Sequence, residues 1–353
     1  MKPAADFQAT ETPQTLILAR ADIAALMTIE DHLAAAEEAF AATADGRADV
    51  PAPLSLHGEG GVLHAKGATI RTRDGRLYAV IKINANFPNN RQRNELPTIQ
   101  GAVLLFDAAN GRLLAILDTR EVTLQRTAAA TALAARYLAR KDSVIATIVG
   151  CGDQARAQLA FLAHELPIAR IHAVDLDHGA AAAFATHMTK ALQLDVRTAR
   201  DIAAAASVSD VIVTCTTSST PFLRLGDVKP GTFIAAVGAD SPSKSELFPD
   251  LVARSTLVVD SLEQCRAMGD LRHAIAAGAT TTDAVYPTLG DLLSKRKPGR
   301  TNHHEITIFD STGIAVQDVT AAIRIHERAQ TRKLGLICRL AETSPAPMRE
   351  HWS

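Results

Sequence analysis

Short apolar runs separated by turn signals fill roughly the first third of the chain, after one helix-like segment. These runs predict strands over residues 15–18, 61–66, 77–83, 101–106 and 113–117. The Asp-Gly pair at 74–75 and the Asn-Gly pair at 110–111 are typical of hairpin turns. Thr28 and Asp31 form a capping box for an amphipathic helix that runs to about Phe40. This part predicts a mostly antiparallel sheet with a helix before it.

From about residue 121 the pattern changes to helices that alternate with short apolar runs. Helices are predicted over 121–140, 154–164, 178–192 and 315–333, and strands over 144–149, 171–174, 211–215, 232–237, 257–260 and 306–310. Strands that alternate with helices predict a parallel, doubly wound sheet. The predicted fold class is therefore α/β, with a Rossmann-type sheet inserted in a second, α+β region.

Three segments lie outside this pattern. Residues 84–97 are polar and have no periodicity, which is compatible with a functional lid or with a plain surface loop. Residues 1–14 predict a loose tail, and residues 334–353 a peripheral extension.

Composition narrows the class of protein without naming a chemistry. The 353 residues hold 37 Lys and Arg against 38 Asp and Glu, so nothing points to nucleic acid or to an anionic membrane surface. No apolar run approaches the ~20 residues of a membrane span, and the first dozen residues show no secretory pattern. The four cysteines are widely spaced, so we expect reduced thiols in a cytoplasmic protein, with no metal site.

A glycine-rich turn follows the predicted strand at 144–149. Gly150 permits a tight turn, Gly152 lets the backbone approach a pyrophosphate, and Ala155 allows the next helix to pack closely. The dinucleotide contacts predicted from this turn are Gly150, Gly152, Asp153, Gln154 and Ala155.

An acid follows at the spacing that a dinucleotide site requires. Asp175 ends the next strand, 23 residues after Gly152 (175 minus 152), where a carboxylate binds the ribose hydroxyls. Because Asp175 repels a 2′-phosphate and no Arg follows it directly, NAD(H) is favoured and NADP(H) remains possible.

Three charged residues stand out outside the nucleotide motif. Lys82 interrupts an apolar alternation, so it faces either a cleft or solvent at a sheet edge. Arg126 lies among small residues and either captures an anion or is an exposed helical side chain. Asp240 follows an apolar parallel strand, where ligand crevices form, and is either catalytic or a turn residue.

The chain from about Thr15 to Arg332 resembles the ornithine cyclodeaminase/mu-crystallin family. The motifs that carry the resemblance are Lys82 with the 84–90 segment, 96–101, 124–130, the glycine turn, 237–242 with Lys244 and 246–247, 309–313, and Gln317-Asp318. The resemblance implies a homodimer, a nicotinamide cofactor and an amino-acid or ketimine substrate. It also implies that residues 1–130 plus 315–353 form a substrate-binding and dimerisation domain around a dinucleotide-binding domain at 131–314.

The resemblance also implies roles for individual residues. Lys82 corresponds to the family's active-site lysine, Arg126 to its carboxylate-binding arginine and Asp240 to its catalytic aspartate. The further residues expected to line the cofactor are Thr127, Thr216, Thr217, Ser218, Val237, Gly238 and Gly313.

The chain departs from the family pattern on the substrate side. His64 occupies the place where ornithine cyclodeaminases of the family carry a Glu for the distal amine, and a His offers no fixed negative charge. Pro53 stands in the stretch where many members have a second carboxylate-binding Arg. Lys66, on the same strand face as His64, is a candidate substitute for that cation. The alternative for His64 is a half-buried strand histidine without a role in binding, and the alternative for Lys66 is a solvated lysine.

These residues predict an NAD(P)H-dependent reductase of a ketimine, such as 1-pyrroline-2-carboxylate or the imine of a small 2-oxo acid. Arg126, with Lys66, would fix the carboxylate, while Asp240 and Lys82 would deliver or relay a proton to the imine nitrogen. Direct delivery by Asp240 requires a raised pKa, a relay or a water. The alternatives are an ornithine or lysine cyclodeaminase, an alanine-dehydrogenase-like reductive amination, and a binding protein without catalysis.

Overall fold

The computed structural model describes residues 14–340 except Val285. Residues 1–13 and 341–353, which belong to the predicted tail and extension, lie outside the described range. Within it no helix is long and apolar enough to cross a membrane.

The first sheet comes from both ends of the described chain. Over residues 14–340 it has eight strands, in the order β15-β1-β7-β6-β5-β4-β2 with β3 paired to β4. They are β1 (Thr15–Leu18), β2 (Ala48–Asp49), β3 (Leu54–Gly58), β4 (Gly61–Arg71), β5 (Leu77–Asn86), β6 (Ile99–Asp107), β7 (Arg112–Asp118) and β15 (Leu336–Cys338). Neighbours are antiparallel except β1 and β7, so the predicted mostly antiparallel sheet is confirmed.

The second sheet is wholly parallel. In the described part of the chain it has seven strands, in the order β10-β9-β8-β11-β12-β14-β13. They are β8 (Ile145–Val149), β9 (Arg170–Val174), β10 (Asp195–Thr198), β11 (Val211–Thr214), β12 (Phe233–Ala236), β13 (Thr256–Val259) and β14 (Thr307–Asp310). β11, β12 and β14 are buried along their whole length, which explains their continuous apolar sequences. The order reverses between β8 and β11, as in a Rossmann sheet, so the predicted α/β fold class is confirmed.

Helices cover the sheets and join them. They are α1 (Arg20–Leu26), α2 (Ile29–Ala44), α3 (Asn90–Arg93), α4 (Thr119–Leu138), α5 (Asp153–Glu165), α6 (His178–Leu192), α7 (Ile202–Val208), α8 (Pro249–Ala253), α9 (Leu262–Ala267), α10 (Asp270–Ala276), α11 (Leu289–Leu293) and α12 (Ala315–Arg332). The capping box of Thr28 and Asp31 opens α2, as predicted.

Two helices place the functional region between the sheets. α4 leads from the first sheet into β8, and α12 leads from β14 back onto β4 and β5. One continuous apolar core includes residues of both sheets and both helices, such as Val80, Leu133, Ile148 and Val319. The division of the chain into domains at 131 and 315 stays a prediction.

The structure also corrects parts of the sequence interpretation. The predicted loop at 84–97 is wrong at its start and centre, because β5 continues to Asn86 and α3 follows. Part of the predicted peripheral extension is β15, which pairs with β1. The strands β3 and β10 and several short helices were not predicted, because segments of four to seven residues carry too little periodicity.

Candidate active site

A buried ion-pair cluster lies where α12 crosses β5 and α4. Lys82 of β5 places its Nζ 2.7 Å from Oδ2 of Asp318 on α12. Arg126 of α4 places its Nε 3.5 Å from the other oxygen, Oδ1. All three residues are buried. The structure thus brings together two of the predicted site residues around an acid that holds both cations.

Arg126 is oriented by the start of α12. Its Nη1 donates to Oε1 of Gln317 at 3.2 Å, and the same oxygen accepts from the backbone N–H of Ile314. Gly313, with φ +78°, leaves room for the guanidinium: a Cβ there would lie 2.4 Å from Nη1 and 2.7 Å from Nη2. The alternative of an exposed helical arginine is excluded, since the predicted cofactor residue Gly313 packs against Arg126.

Lys66 adds a third cation to this cluster. It pairs with Lys82 across β4 and β5. Its Nζ donates to the backbone oxygens of Thr312, at 3.3 Å, and Gly313, at 3.1 Å. The ammonium thereby ties the first sheet to the loop that follows β14, and it is not the solvated side chain that sequence alone left open.

Burial changes the acid–base properties of both lysines. Burial and, to a smaller extent, the positive charges of Arg126 and Lys66 lower the pKa of Lys82 from 10.5 to about 8, although the Asp318 carboxylate raises it. Burial also lowers the pKa of Lys66, and Arg126 adds to that shift. A lysine with a pKa near 8 can hold a proton at neutral pH and release it during a reaction.

Asp240 and His64 lie at the more open side of the cluster. The Asp240 side chain is 54% exposed, and its Oδ1 lies 2.6 Å from Nζ of Lys244. Partial enclosure raises the pKa of Asp240, but Lys244, Lys66 and Arg126 outweigh this effect, so the pKa lies below its usual range. Asp240 is therefore ionised at neutral pH, which removes direct donation through a raised pKa.

His64 is half-buried beside Asp240. Its Nδ1 forms a hydrogen bond with Oγ of Ser55 on the adjacent strand β3, at 2.9 Å. Burial lowers the pKa of His64, although Asp240 pulls it upward. The imidazole is neutral at pH 7 and does not replace the carboxylate of a distal-amine site.

The glycine turn forms a second group at the ends of β8 and β9. Gly150 has φ +90°, and a Cβ there would lie 2.9 Å from the backbone oxygen of Cys215. Gly152 is the N-cap of α5, and a Cβ there would meet no atom within 4 Å. Ala155 is fully buried, whereas Asp153 is exposed and Gln154 half-buried. A tight turn, open space and a helix N-terminus are the arrangement that a pyrophosphate requires.

Asp175 completes this second group. It directly follows β9, and its Oδ2 accepts from the backbone N–H of Cys151 at 2.7 Å. Its Oδ1 accepts from the backbone N–H of Asp177 at 2.9 Å. Each carboxylate oxygen can accept a second hydrogen bond, which leaves room for ribose hydroxyls.

The other predicted cofactor residues lie on three segments. Thr127 is half-buried on α4, and its hydroxyl donates to the backbone oxygen of Thr123 at 2.7 Å. The segment after β11 carries the half-buried Thr216 and Ser218 and the exposed Thr217. Val237 and Gly238 follow β12. The backbone N–H groups of Thr216 and Gly238 both donate to the carboxylate of Glu246.

Several residues that contact the predicted site residues were given no individual role in the sequence analysis. Asp318 and Gln317, which hold the cations, carry part of the family resemblance but gave no separate sign of a role. Their signal is a polar pair at the first turn of a helix that is otherwise buried on the same face. Lys244 and Glu246 carry no periodic signal, because they lie in an irregular segment between β12 and α8.

Known proteins of similar sequence include a dehydrogenase and a reductase of small amino or imino acids. The alanine dehydrogenase of Archaeoglobus fulgidus is 36% identical over 323 residues, which cover 91% of this chain and 97% of that protein. The iminosuccinate reductase of Paracoccus denitrificans is 34% identical over 323 residues, 89% of this chain and 97% of its own.

Solved structures show the same fold at full length. An archaeal alanine dehydrogenase dimer with bound NAD has a TM-score of 0.87 at 34% identity, and the match covers 93% of this chain and all (100%) of that one. The Δ1-pyrroline-2-carboxylate reductase of Thermococcus litoralis, in complex with NADH and L-proline, has a TM-score of 0.87 at 30% identity, covering 91% and 99%.

The family resemblance is confirmed over nearly the whole chain. The model of the ornithine cyclodeaminase/mu-crystallin family matches residues 13–333, which include the cation cluster, the glycine turn and Asp240. This chain belongs to the ornithine cyclodeaminase/mu-crystallin family.

Proposed function

We propose that the protein is an NAD-dependent reductase that converts a 2-imino acid to the corresponding amino acid. The observation that carries this proposal is the buried cluster of Lys82, Arg126 and Asp318, which joins β5 of the first sheet and α4 to α12, the helix that follows the carboxyl end of β14. The reactions named for the similar proteins, alanine dehydrogenase, iminosuccinate reductase and pyrroline-2-carboxylate reductase, all concern this kind of chemistry.

The cofactor we propose is NAD(H), held by the glycine turn and Asp175. Gly150 and Gly152 leave the space that a pyrophosphate needs, and the Asp175 carboxylate accepts from the ribose hydroxyls. The bound nicotinamide supplies the hydride. Because Asp175 repels a 2′-phosphate, Asp175→Ala should raise the KM for NADH much more than the KM for NADPH. Steady-state kinetics with both cofactors measure this, and equal losses would contradict the ribose role.

On the substrate side, Arg126 binds the carboxylate. Its Nη2 remains available after Gln317 and Asp318 have oriented the guanidinium, and a charge-assisted bond places the imine next to Lys82. Lys82 holds the proton that the imine nitrogen acquires, since its pKa of about 8 keeps it charged at pH 7. Asp240, which is ionised, stabilises the positive charge of the protonated imine.

Among the described residues, the site has no carboxylate without a cation partner to receive a distal ammonium. Asp318 is occupied by Lys82 and Arg126, and Asp240 by Lys244. Where the family's cyclodeaminases carry a Glu, this chain has His64, which is bonded to Ser55. Ornithine or lysine cyclisation is therefore disfavoured. Alanine-dehydrogenase-like reductive amination is the second candidate, favoured by the 36% identity to an alanine dehydrogenase.

We propose further that two copies associate through the open face of the first sheet. Ile81 and Ile83 are 45% and 39% exposed on the face of β5 opposite Lys82, and Leu54 and Leu56 of β3 extend the apolar surface. Sheets rarely leave such a face to water. In this arrangement residues 1–130 with 315–353 form the domain that binds substrate and partner, and residues 131–314 the dinucleotide domain.

A cytoplasmic location agrees with the cysteines. All four are free, and Cys151 and Cys265 are buried. Burial raises the pKa of the Cys151 thiol to about 12, so it stays protonated and unreactive in a reducing compartment.

One assay separates the candidate reactions. The purified protein is given NADH or NADPH with 1-pyrroline-2-carboxylate, with pyruvate plus ammonia, and with oxaloacetate plus ammonia, and oxidation of the cofactor is followed. We expect NADH oxidation with at least one imine, reduced ~100-fold or more in Lys82→Gln with little change in NADH affinity. Ammonia release from ornithine without added reductant would instead identify a cyclodeaminase. NADH binding without any turnover would indicate a binding protein.

A further inference from the structure

The buried carboxylate of Glu246 accepts four hydrogen bonds between the segment after β11 and the segment after β12 of the Rossmann sheet. One oxygen of Glu246, Oε1, accepts from the backbone N–H and the hydroxyl of Thr216, each at 2.7 Å. The other, Oε2, accepts from the hydroxyl of Thr214 at 2.6 Å and from the backbone N–H of Gly238 at 2.9 Å. The residue is fully buried. A single side chain thus joins the carboxyl end of β11 to that of β12.

The Glu246 carboxylate is packed tightly against the backbone of Gly238. A Cβ at Gly238 would lie 2.3 Å from Oε1 of Glu246. Glycine is therefore required at position 238 by the close approach of the carboxylate.

Two further buried acids hold Glu246 in place. Asp270 at the start of α10 accepts through Oδ1 from the backbone N–H groups of Glu246, at 2.9 Å, and Leu247, at 3.1 Å. Asp310 at the end of β14 accepts through Oδ2 from the backbone N–H of Leu271 at 3.0 Å. The segment that carries Glu246 is thereby anchored, through α10, to the end of β14.

We propose that Glu246 is the positioning residue of the cofactor site: it sets the separation of the loops at 214–218 and 237–240 and so determines dinucleotide affinity. This inference rests on the proposed function, because these loops flank the expected cofactor. Glu246 itself is buried beneath the loops and acts through Thr216 and Gly238.

The protonation state of Glu246 controls this contact. The four donors require an ionised carboxylate, because a protonated oxygen turns one acceptor into a donor that faces an N–H group. Burial and, to a smaller extent, the nearby Asp270 carboxylate raise the pKa of Glu246 to about 7, against the hydrogen bonds from Thr214 and Thr216, which lower it. Cys215 also faces Glu246, and its thiol stays protonated because burial raises its pKa. Dinucleotide affinity should therefore fall as the pH drops through about 7.

Substitution of Glu246 by Gln tests the proposal directly. Either orientation of the amide turns its NH2 toward one backbone N–H, of Thr216 or Gly238, so that one donor loses its partner. We expect the Kd and the KM for NADH to rise about tenfold, with kcat at saturating NADH within about twofold of wild type. The Kd of wild type should rise between pH 8 and pH 6, and that of Glu246→Gln should not depend on pH in this range.

Glu305→Gln is the matched control. Glu305 also accepts from a hydroxyl, that of Thr256, and from a backbone N–H, that of Asn302. It comes just before β14 and so lies at the amino ends of the strands, away from the loops at 214–218 and 237–240. Glu305→Gln should lower the thermal stability and leave the Kd for NADH unchanged. If Glu246→Gln does not fold, Thr214→Val takes its place in the test. It removes one of the four donors to Glu246 with little change in volume, and it should raise the Kd for NADH two- to threefold.

Asp270→Asn gives a second, independent outcome. Its Oδ2 is buried and has no hydrogen-bond partner among residues 14–340, so an amide can keep the accepting oxygen toward Glu246. Removal of the negative charge should move the pH dependence of the Kd to lower pH. An unchanged Kd in Glu246→Gln overturns the positioning role, and a wild-type Kd that is constant between pH 6 and 8 overturns its control by protonation. If wild type binds neither NADH nor NADPH, the proposed function fails and this inference fails with it.

Discussion

At the scale of the residue, the site depends on the balance between burial and charge at one lysine. Lys82 is taken out of water, which alone would favour its neutral form, and Asp318 restores part of the stability of the charged form. Both oxygens of Asp318 lack a hydrogen bond of regular geometry among the residues described, so the attraction is that of an ion pair. This balance places the pKa where a proton donor for an imine is useful.

Removal of the Asp318 charge should change the pH profile of the enzyme. The active form holds Lys82 protonated, so kcat/KM for imine reduction should fall as the pH rises through about 8. Asp318 raises the pKa of Lys82, so in Asp318→Asn this fall should begin at least about one pH unit lower. Steady-state rates between pH 6 and 9.5 measure the shift.

A control is needed because breaking a buried pair costs about 3–5 kcal/mol of stability. Glu165→Gln breaks the ion pair of Glu165 with Arg136, away from the cluster, and should leave the position of the alkaline fall unchanged. An unshifted profile in folded Asp318→Asn would remove Lys82 from proton transfer.

At the scale of the element, the cofactor site depends on how closely the turn after β8 approaches the end of β11. Gly150 is in the left-handed region at φ +90°, with the backbone of Cys215 next to its Hα atoms. Gly152 has no such neighbour and faces open space at the start of α5. We therefore propose that the two glycines serve different purposes, Gly150 in folding and Gly152 in access of the dinucleotide.

Alanine substitutions should separate these purposes. Gly150→Ala forces a Cβ to within 2.9 Å of the Cys215 oxygen, so it should lower the free energy of unfolding by about 1–3 kcal/mol and weaken NADH binding. Gly152→Ala should weaken NADH binding with little loss of stability, because its Cβ meets only the ligand. Thermal unfolding and NADH titration of both variants check this. Equal losses of stability would contradict the assignment.

At the scale of the whole molecule, the first sheet uses its two faces differently. One face carries Lys66 and Lys82 under α12, and the other is apolar and open in the single chain. The similar alanine dehydrogenase structure is described as a dimer. A second copy on the open face would bury the exposed isoleucines without covering the cation cluster.

A charge on the open face should therefore separate the subunits. Ile81→Glu is expected to shift the protein from dimer to monomer, because burying an unpaired carboxylate costs several kcal/mol. Light scattering coupled to size-exclusion chromatography measures the mass. Val144→Glu introduces the same charge at a site of similar exposure, directly before β8 of the Rossmann sheet, and this variant should remain dimeric. A dimer that persists in Ile81→Glu would place the interface elsewhere.

Much of the architecture could be predicted from local pattern. Helix His178–Leu192 and strand Thr15–Leu18 have the predicted bounds, since each combines a capping or turn signal with a full period of apolar positions. The short segments β3, β10 and α3 could not be predicted, because none of them has a continuous apolar run and their neighbours stabilise them.

The amino-acid sequence by itself determined the alternation of strands and helices, the glycine turn with its acid at Asp175, and the family. These are properties of residues close together in the chain, where spacing translates directly into geometry. Only the tertiary structure decided that Lys82 pairs with Asp318 and that Glu246 joins two loops, because these partners are far apart in sequence or lie in irregular segments. It also decided that Asp240 is ionised, since a pKa depends on which charges and how much water surround the group in space.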